Sequence, residues 1–447
     1  MKKILALVMA AVMVFGLFGV SAMAEGKTVI NLWAFTDEVP GMVTKYMEAH
    51  PEVAEKYEVN TTIIATTDGL YQPALDAALA NGEVDLYAAE AAFILKYAQG
   101  DAAHYAAPYE DLGIDVAAGL EAADIAQYTV DIGTRPADGK LVALGYQATG
   151  GAFIYRRSIA KAVWGSDDPA VVAEKIGAGS GSWDAFWAAA EEVKAAGYKM
   201  ISGDGDMWHA VENSSETGWL VDGALNIDPA REAFLDLSKK LVDGGYHNDT
   251  TDWQEGWFAD MKAEGTALGF YGPAWLVNYT LAPNCGGAAV GEGSYGDWAV
   301  CAPNIGFFWG GTWLLAGNSV VGTEKAAVIG DIINWITLDC TEDGLQYKWA
   351  NGTLNGEGGT KDCVASGTVM AKSNGETAFL GGQNMFDAFI PANAYANGKN
   401  LTQYDEIINA AWRDAVRQYA HGEVDRDTAI ENFKLDLSGK LDIEIEF

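Results

Sequence analysis

Basic residues are scarce in this chain: 28 Lys and Arg stand against 62 Asp and Glu in 447 residues, a formal charge of -34. A surface of that sign repels nucleic acid and anionic lipid, so neither is an expected partner. Histidine is nearly absent. His50, His104, His209, His247 and His421 show no metal-ligand spacing, and Asp204-Gly205-Asp206 lacks the further ligands and terminal Glu of a calcium loop. No metal and no cofactor is expected. There are only four cysteines, Cys285, Cys301, Cys340 and Cys363, at spacings unlike a zinc site. After the N-terminal segment no apolar run approaches the length that spans a bilayer. No Gly-x-Ser-x-Gly elbow, fixed-period repeat or low-complexity tract occurs.

What is present begins with an export pattern. Met1-Lys2-Lys3 precedes an apolar run from Ile4 to Val20 and the small-residue segment Ser21-Ala22-Met23-Ala24. This reads as a signal peptide, residues 1–24, cut after Ala24, which places the mature chain outside the cytoplasm, whether secreted, at the cell surface or periplasmic. In such a compartment the cysteines read as two local disulfides, Cys285 with Cys301 and Cys340 with Cys363. Each would close a loop of roughly 15 to 25 residues and contribute about 3 kcal/mol. The mature chain is too long for one ordinary core, so two lobes are expected.

Along the chain, Val29 to Phe35, Val59 to Ala65 and Val84 to Ala88 read as strands alternating with helices at Pro40 to Ala49, Leu70 to Ala80 and Ala91 to Ala98. That order indicates an α/β fold with a parallel sheet wrapped by helices. Ligands on such sheets sit beyond the carboxyl ends of the strands, where this chain carries Trp33, Glu38, Asp68 and Glu90. Farther on, Leu141 to Tyr155 and Lys199 to Ile201 read as strands, and Ser202 to His209 as a loop. Trp253 to Glu264 reads as a helix, and Thr266 to Tyr271 as a strand that breaks at Gly272-Pro273-Ala274-Trp275. From Phe307 to Thr337 an aromatic strand turns through Gly310-Gly311, continues as Trp313 to Ala316, and leads to a helix. That helix carries an apolar stripe of Val328, Ile329, Ile332, Ile333 and Ile336.

Four passages, in order, carry a family likeness: Ile30 to Glu38, Gly151 to Ala162 with Trp183 to Glu192, Phe258 to Trp275, and Gly310 to Ile336. Together they resemble the extracellular solute-binding proteins of carbohydrate importers, the maltose-binding-protein-like group called family 1. Glu264-Gly265-Thr266 and the residue between Pro273 and Trp275 depart from that group's pattern, and the Gly-rich insert holding Cys285 is particular to this chain. The resemblance implies a periplasmic-binding-protein-like fold, two doubly wound α/β lobes joined by three crossings around a cleft. The lobes would comprise residues 25–143 with 299–342, and 144–298 with 343–447. The crossings would fall near Leu141 to Gly145, Trp298 to Ala302 and Glu342 to Tyr347, and the lobes would close by hinge motion. It further implies a monomer that captures a mono- or oligosaccharide, delivers it to the transmembrane permease of an ABC transporter, and performs no chemistry.

A sugar offers an apolar C–H face and a rim of hydroxyls, so its site needs aromatic planes and carboxylates or amides. Trp33, Trp208, Trp275 and Trp309 fall at strand ends and are the candidate stacking residues, with Gly310 admitting close backbone approach. Glu38, Asp68, Glu90 and Asp206 are the candidate hydroxyl partners. Trp183, Trp187, Trp335 and Trp412 fall on helix stripes and read as core. The competing reading is a secreted carbohydrate-active hydrolase, which would share the acidity and aromatics but need a carboxylate pair across the scissile bond.

Overall fold

The computed structural model describes residues 26–66, 69–356 and 358–447. The proposed signal peptide and cleavage site, and Asp68, lie outside the described residues. Among the described residues, nine of thirteen strands build the two main sheets. They are β1 (Thr28–Ala34), β2 (Tyr57–Ile63), β3 (Leu86–Glu90), β4 (Ala143–Gly145), β5 (Ala152–Arg156), β6 (Lys199–Ile201), β7 (Ala267–Gly272), β8 (Trp298–Cys301) and β9 (Thr312–Ala316). The first sheet runs β2-β1-β3-β9-β4 and the second runs β8-β5-β7-β6. The first is parallel where its strands are joined by helices, at β1–β2 and β1–β3, and antiparallel where β9 returns from the second sheet to lie beside β3 and β4. Among the described residues no helix is long and apolar enough to cross a membrane.

Strand periodicity places the cores. Along β1, Ile30, Leu32 and Ala34 are buried in one apolar cluster while Trp33 packs on another. On β5, Ala152 and Ile154 face that same first cluster, and Phe153 and Tyr155 face a third. Both sheets are therefore covered on two sides, as doubly wound lobes are. Helices α1 (Glu38–Ala49) and α2 (Tyr71–Ala80) cover the first sheet. Helices α3 (Asp184–Ala195), α4 (Asp204–Ser214) and α5 (Pro229–Gly244) cover the second, and the short α6 (Glu255–Ala259) follows. A helical run opens with α7 (Ala274–Leu276) and continues through a widened turn, Val277–Leu281. Helix α8 (Ala326–Thr337) buries all five residues of its expected stripe and leaves Asp331 and Asn334 exposed. Farther on come α9 (Leu345–Ala350), α10 (Asp405–Ala420) and α11 (Arg426–Ser438), the last two packed in the second lobe.

Three local expectations are corrected. Ser202 to His209 is not a loop, because α4 begins at Asp204. The Asp206 carboxylate accepts the Gly203 N–H at 3.1 Å and so completes the helix start. Trp253 precedes its helix, which spans only Glu255–Ala259. The cysteines are all free. Cys285 lies in the first cluster and Cys301 in the cluster on the opposite face of the second sheet, so the sheet separates them. The Cys340 thiol turns to the Ala122 carbonyl at 3.5 Å, and Cys363 is buried where its carbonyl accepts the Ala148 N–H.

The chain passes between the sheets from Gly145 to Ala152 and returns from Cys301 to Thr312. The lobes also touch directly. Gln72 on α2 donates to the Glu406 carboxylate of α10 at 2.6 Å, and the Asp101 N–H donates to the Gln403 side chain at 3.0 Å.

Candidate ligand-binding site

The returning segment enters β9 through two glycines in left-handed conformation, Gly310 at φ +69° and Gly311 at φ +115°. A Cβ on Gly310 would lie 3.2 Å from Trp275 Cζ2 and 3.5 Å from Glu90 Oε1. Glu90 ends β3 in the first sheet, and its other oxygen accepts the Ala92 N–H at 2.8 Å. Trp275 follows the Gly272-Pro273 break at the end of β7 in the second sheet, and its indole N–H donates to the Trp309 carbonyl at 3.1 Å. Groups from both lobes thus converge on one bare stretch of backbone.

Around it the aromatics form a continuous group. The Trp275 and Trp309 rings are 4.7 Å apart at 58°, and Trp309 lies flat on His209 at 3.6 Å and 16°. Trp253 is nearly parallel to Trp275 at 6.2 Å and 12° and is 47% exposed. Its backbone is left-handed at φ +65°, an unusual conformation for a bulky residue, and Asp249 four positions earlier is left-handed too.

Polar groups back these rings. His209 Nε2 is 3.8 Å from Asp252 Oδ2, and Arg413 Nη2 is 3.0 Å from the same oxygen. His209 Nδ1, Asp252 Oδ1 and Arg413 Nε are buried with no hydrogen-bond partner among the described residues. Such orphaned atoms are costly unless something polar meets them. Burial, reinforced by Arg413, holds His209 well below its usual range, so the imidazole is neutral. Burial pushes Glu90 up to about 7 against the lowering Ala92 amide, and Glu406 and Glu212 add to the rise. Glu212, on α4, is likewise pushed up to about 7 by burial and by Asp405. The Asn409 amide donates to Glu212.

Of the residues expected from sequence, Glu90, Trp275, Trp309 and Gly310 meet in this way. Glu38 opens α1 beyond the end of β1, accepts the Tyr146 hydroxyl and is pushed up to about 7 by burial. Asp206 is buried at the start of α4, where its carboxylate serves Gly203, and burial raises it well above the carboxylate range. Trp33 is half-buried against the cluster that holds Tyr71 and Phe93. Trp208 is the correction: it is 2% exposed and enclosed by Phe234 at 5.0 Å and Trp219 at 6.5 Å. Once α4 includes residue 208, consecutive side chains diverge by about 100°, so His209 faces Trp309 and Trp208 faces the core. Sequence reasoning missed Trp253, His209, Glu212, Asp252 and Arg413. Only Trp253 left a signal, as one more tryptophan near a break in helical pattern.

With this geometry in view, the comparisons define the class. The chain matches the bacterial extracellular solute-binding protein family over residues 41–376, more than half its length, and belongs to that family. No curated protein is detectably similar in sequence. Among solved structures, an extracellular solute-binding protein of family 1 superposes with a TM-score of 0.68 at 18% identity, covering 92% of this chain and 99% of that one. The galacto-N-biose-/lacto-N-biose I-binding protein of an ABC transporter from Bifidobacterium longum, in complex with lacto-N-biose, gives 0.64 at 17% identity, covering 94% and 99%. The GacH receptor of Streptomyces glaucescens, solved unliganded and with acarbose, gives 0.65 at 16% identity, covering 93% and 98%. These likenesses show the expected fold: two sheet-containing lobes of the maltose-binding-protein-like kind.

Proposed function

We propose that this protein is the extracytoplasmic capture component of an ABC importer, binding a carbohydrate between its lobes and presenting it to the membrane permease. The observation that carries the reading is the convergence of Trp275, Trp309 and Trp253 with Glu90 and the unpartnered atoms of His209, Asp252 and Arg413. Flat apolar faces beside unsatisfied donors and acceptors match the two surfaces of a sugar ring. The bound ligands of the Bifidobacterium and Streptomyces structures support the class.

The hydrolase alternative is the weaker reading, because the chain belongs to a solute-binding family. The protein acts as a monomer that binds and releases its ligand unchanged.

Thermal unfolding against a panel of oligosaccharides, with product analysis of the same mixtures, tests this. A raised midpoint with intact sugar is expected, because a ligand that binds only the folded state stabilises it. Conversion to shorter sugars would refute the capture reading, and no shift with any carbohydrate would refute the ligand class.

A further inference from the structure

We propose that the cleft is built for a linear oligosaccharide, seated on two aromatic platforms one helical turn apart: Trp275 with Trp253, and Tyr279 with Trp349. The proposal rests on the carbohydrate reading and adds chain length to it.

Trp275 and Tyr279 are four residues apart on the continuous helical run that begins with α7, so they share a face. Four residues advance about 6 Å along a regular α-helix and somewhat less through the widened turn here, close to the length of one ring in a glycan chain. Each residue has its own near-parallel partner. Trp253 lies at 6.2 Å and 12° from Trp275, and Trp349 lies at 6.3 Å and 20° from Tyr279. Each pair has one member turned to solvent, Trp253 at 47% exposed and Tyr279 at 41%, while Trp349 is 9% exposed.

Each platform also has its own carboxyls. Glu90 stands beside Trp275, across Gly310. On the Tyr279 side, burial first and then the charges of Glu38 and Asp362 raise the phenol. Glu38 accepts the Tyr146 hydroxyl, and Asp362 accepts the Gln147 amide at 3.2 Å, so both are held by the segment linking β4 to β5. The second platform is itself fixed in place: Asn278, next to Tyr279, donates to the Lys361 carbonyl at 2.5 Å, one residue before Asp362. A single sugar ring on Trp275 leaves Tyr279 open to solvent, whereas the neighbouring ring of a chain covers it.

The test is calorimetric titration of the full mature chain with gluco-, galacto- and xylo-oligosaccharide ladders of one to six rings. For the sugar that binds, affinity should rise by about tenfold or more from one ring to the length that reaches both platforms, the worth of one further stacked aromatic contact. Tyr279→Ala should erase that rise and leave the one-ring affinity unchanged, while Tyr279→Phe should retain most of it. Trp275→Ala should weaken every length. Affinity independent of length, or a Tyr279→Ala loss equal for one ring and for many, would overturn the two-platform inference while leaving carbohydrate capture intact. Absence of binding at every length in every series would overturn both.

Discussion

Replacing Trp253 separates two contributions that the side chain combines, a ring packed on Trp275 and a backbone held at φ +65°. In Trp253→Ala the ring is lost but the left-handed conformation remains, at about 1–2 kcal/mol for an L-residue. In Trp253→Gly that strain disappears, offset by about 0.4–1 kcal/mol for the greater freedom of glycine in the unfolded chain. Glycine should therefore leave the protein roughly 0.5–1 kcal/mol more stable than alanine, the reverse of the usual order. Both variants lose the ring's contacts with Trp275, Trp257 and Trp309. With nearly half the ring already in water, that loss is about 1–2 kcal/mol in each. Equilibrium unfolding in urea, compared at a common slope, reads the difference as a shift in midpoint. Sugar affinity, measured alongside, should fall similarly in the two. An alanine variant as stable as the glycine variant would refute the argument, because the left-handed turn would then carry no strain.

Trp309→Ala should weaken sugar binding severalfold while the protein remains folded. Ile332→Ala, in the buried stripe of α8, should cost about 2–5 kcal/mol of stability and leave the affinity of the folded protein unchanged; the opposite pattern in either would refute these placements. Burial, reinforced by Asp405, pushes Glu212 up to about 7 in the folded protein, above the ordinary carboxylate range. Its stabilising contribution is therefore complete below about pH 4.5 and lost as the pH rises through 7. Glu212→Gln should gain stability relative to wild type across that window and plateau above it, as read from unfolding midpoints at successive pH values; a difference that shrinks as the pH rises would contradict the assignment. Unfolding without reductant should release four titratable thiols, and reductant should leave the unfolding transition in place; recovery of two thiols or none would contradict the free cysteines.

The β-α order of the first lobe was legible because its strands and helices have distinct periods, and the stripe of α8 was legible residue by residue. The start of α4 was not. Gly203 and Gly205 lower helix propensity, yet a Cβ at Gly205 would lie 2.1 Å from Asp252 Oδ1. The glycine is there to admit a carboxylate some 47 positions away, and local pattern contains nothing of that. The same holds for His209, Asp252 and Arg413, which come together only through tertiary packing. Trp275, Trp309 and Gly310 could be found because chain breaks mark them. Trp208 was misassigned because a site residue and a core residue look alike until the helix phase is known. The cysteine spacing suggested local bridges, but which face of a sheet each thiol occupies is a property of the fold.

Trp309 and Gly310 lie in the segment that carries the chain from β8 back to β9, so one stretch of backbone serves as both link and wall. In the proposed capture cycle, lobe rotation and the shape of the ligand surface would form a single mechanical coordinate. Substitutions in the link itself, at Ile305 for example, are then expected to retune affinity by changing the angle at which the wall is presented. Selection for a new sugar can therefore act on the joint as readily as on the lining.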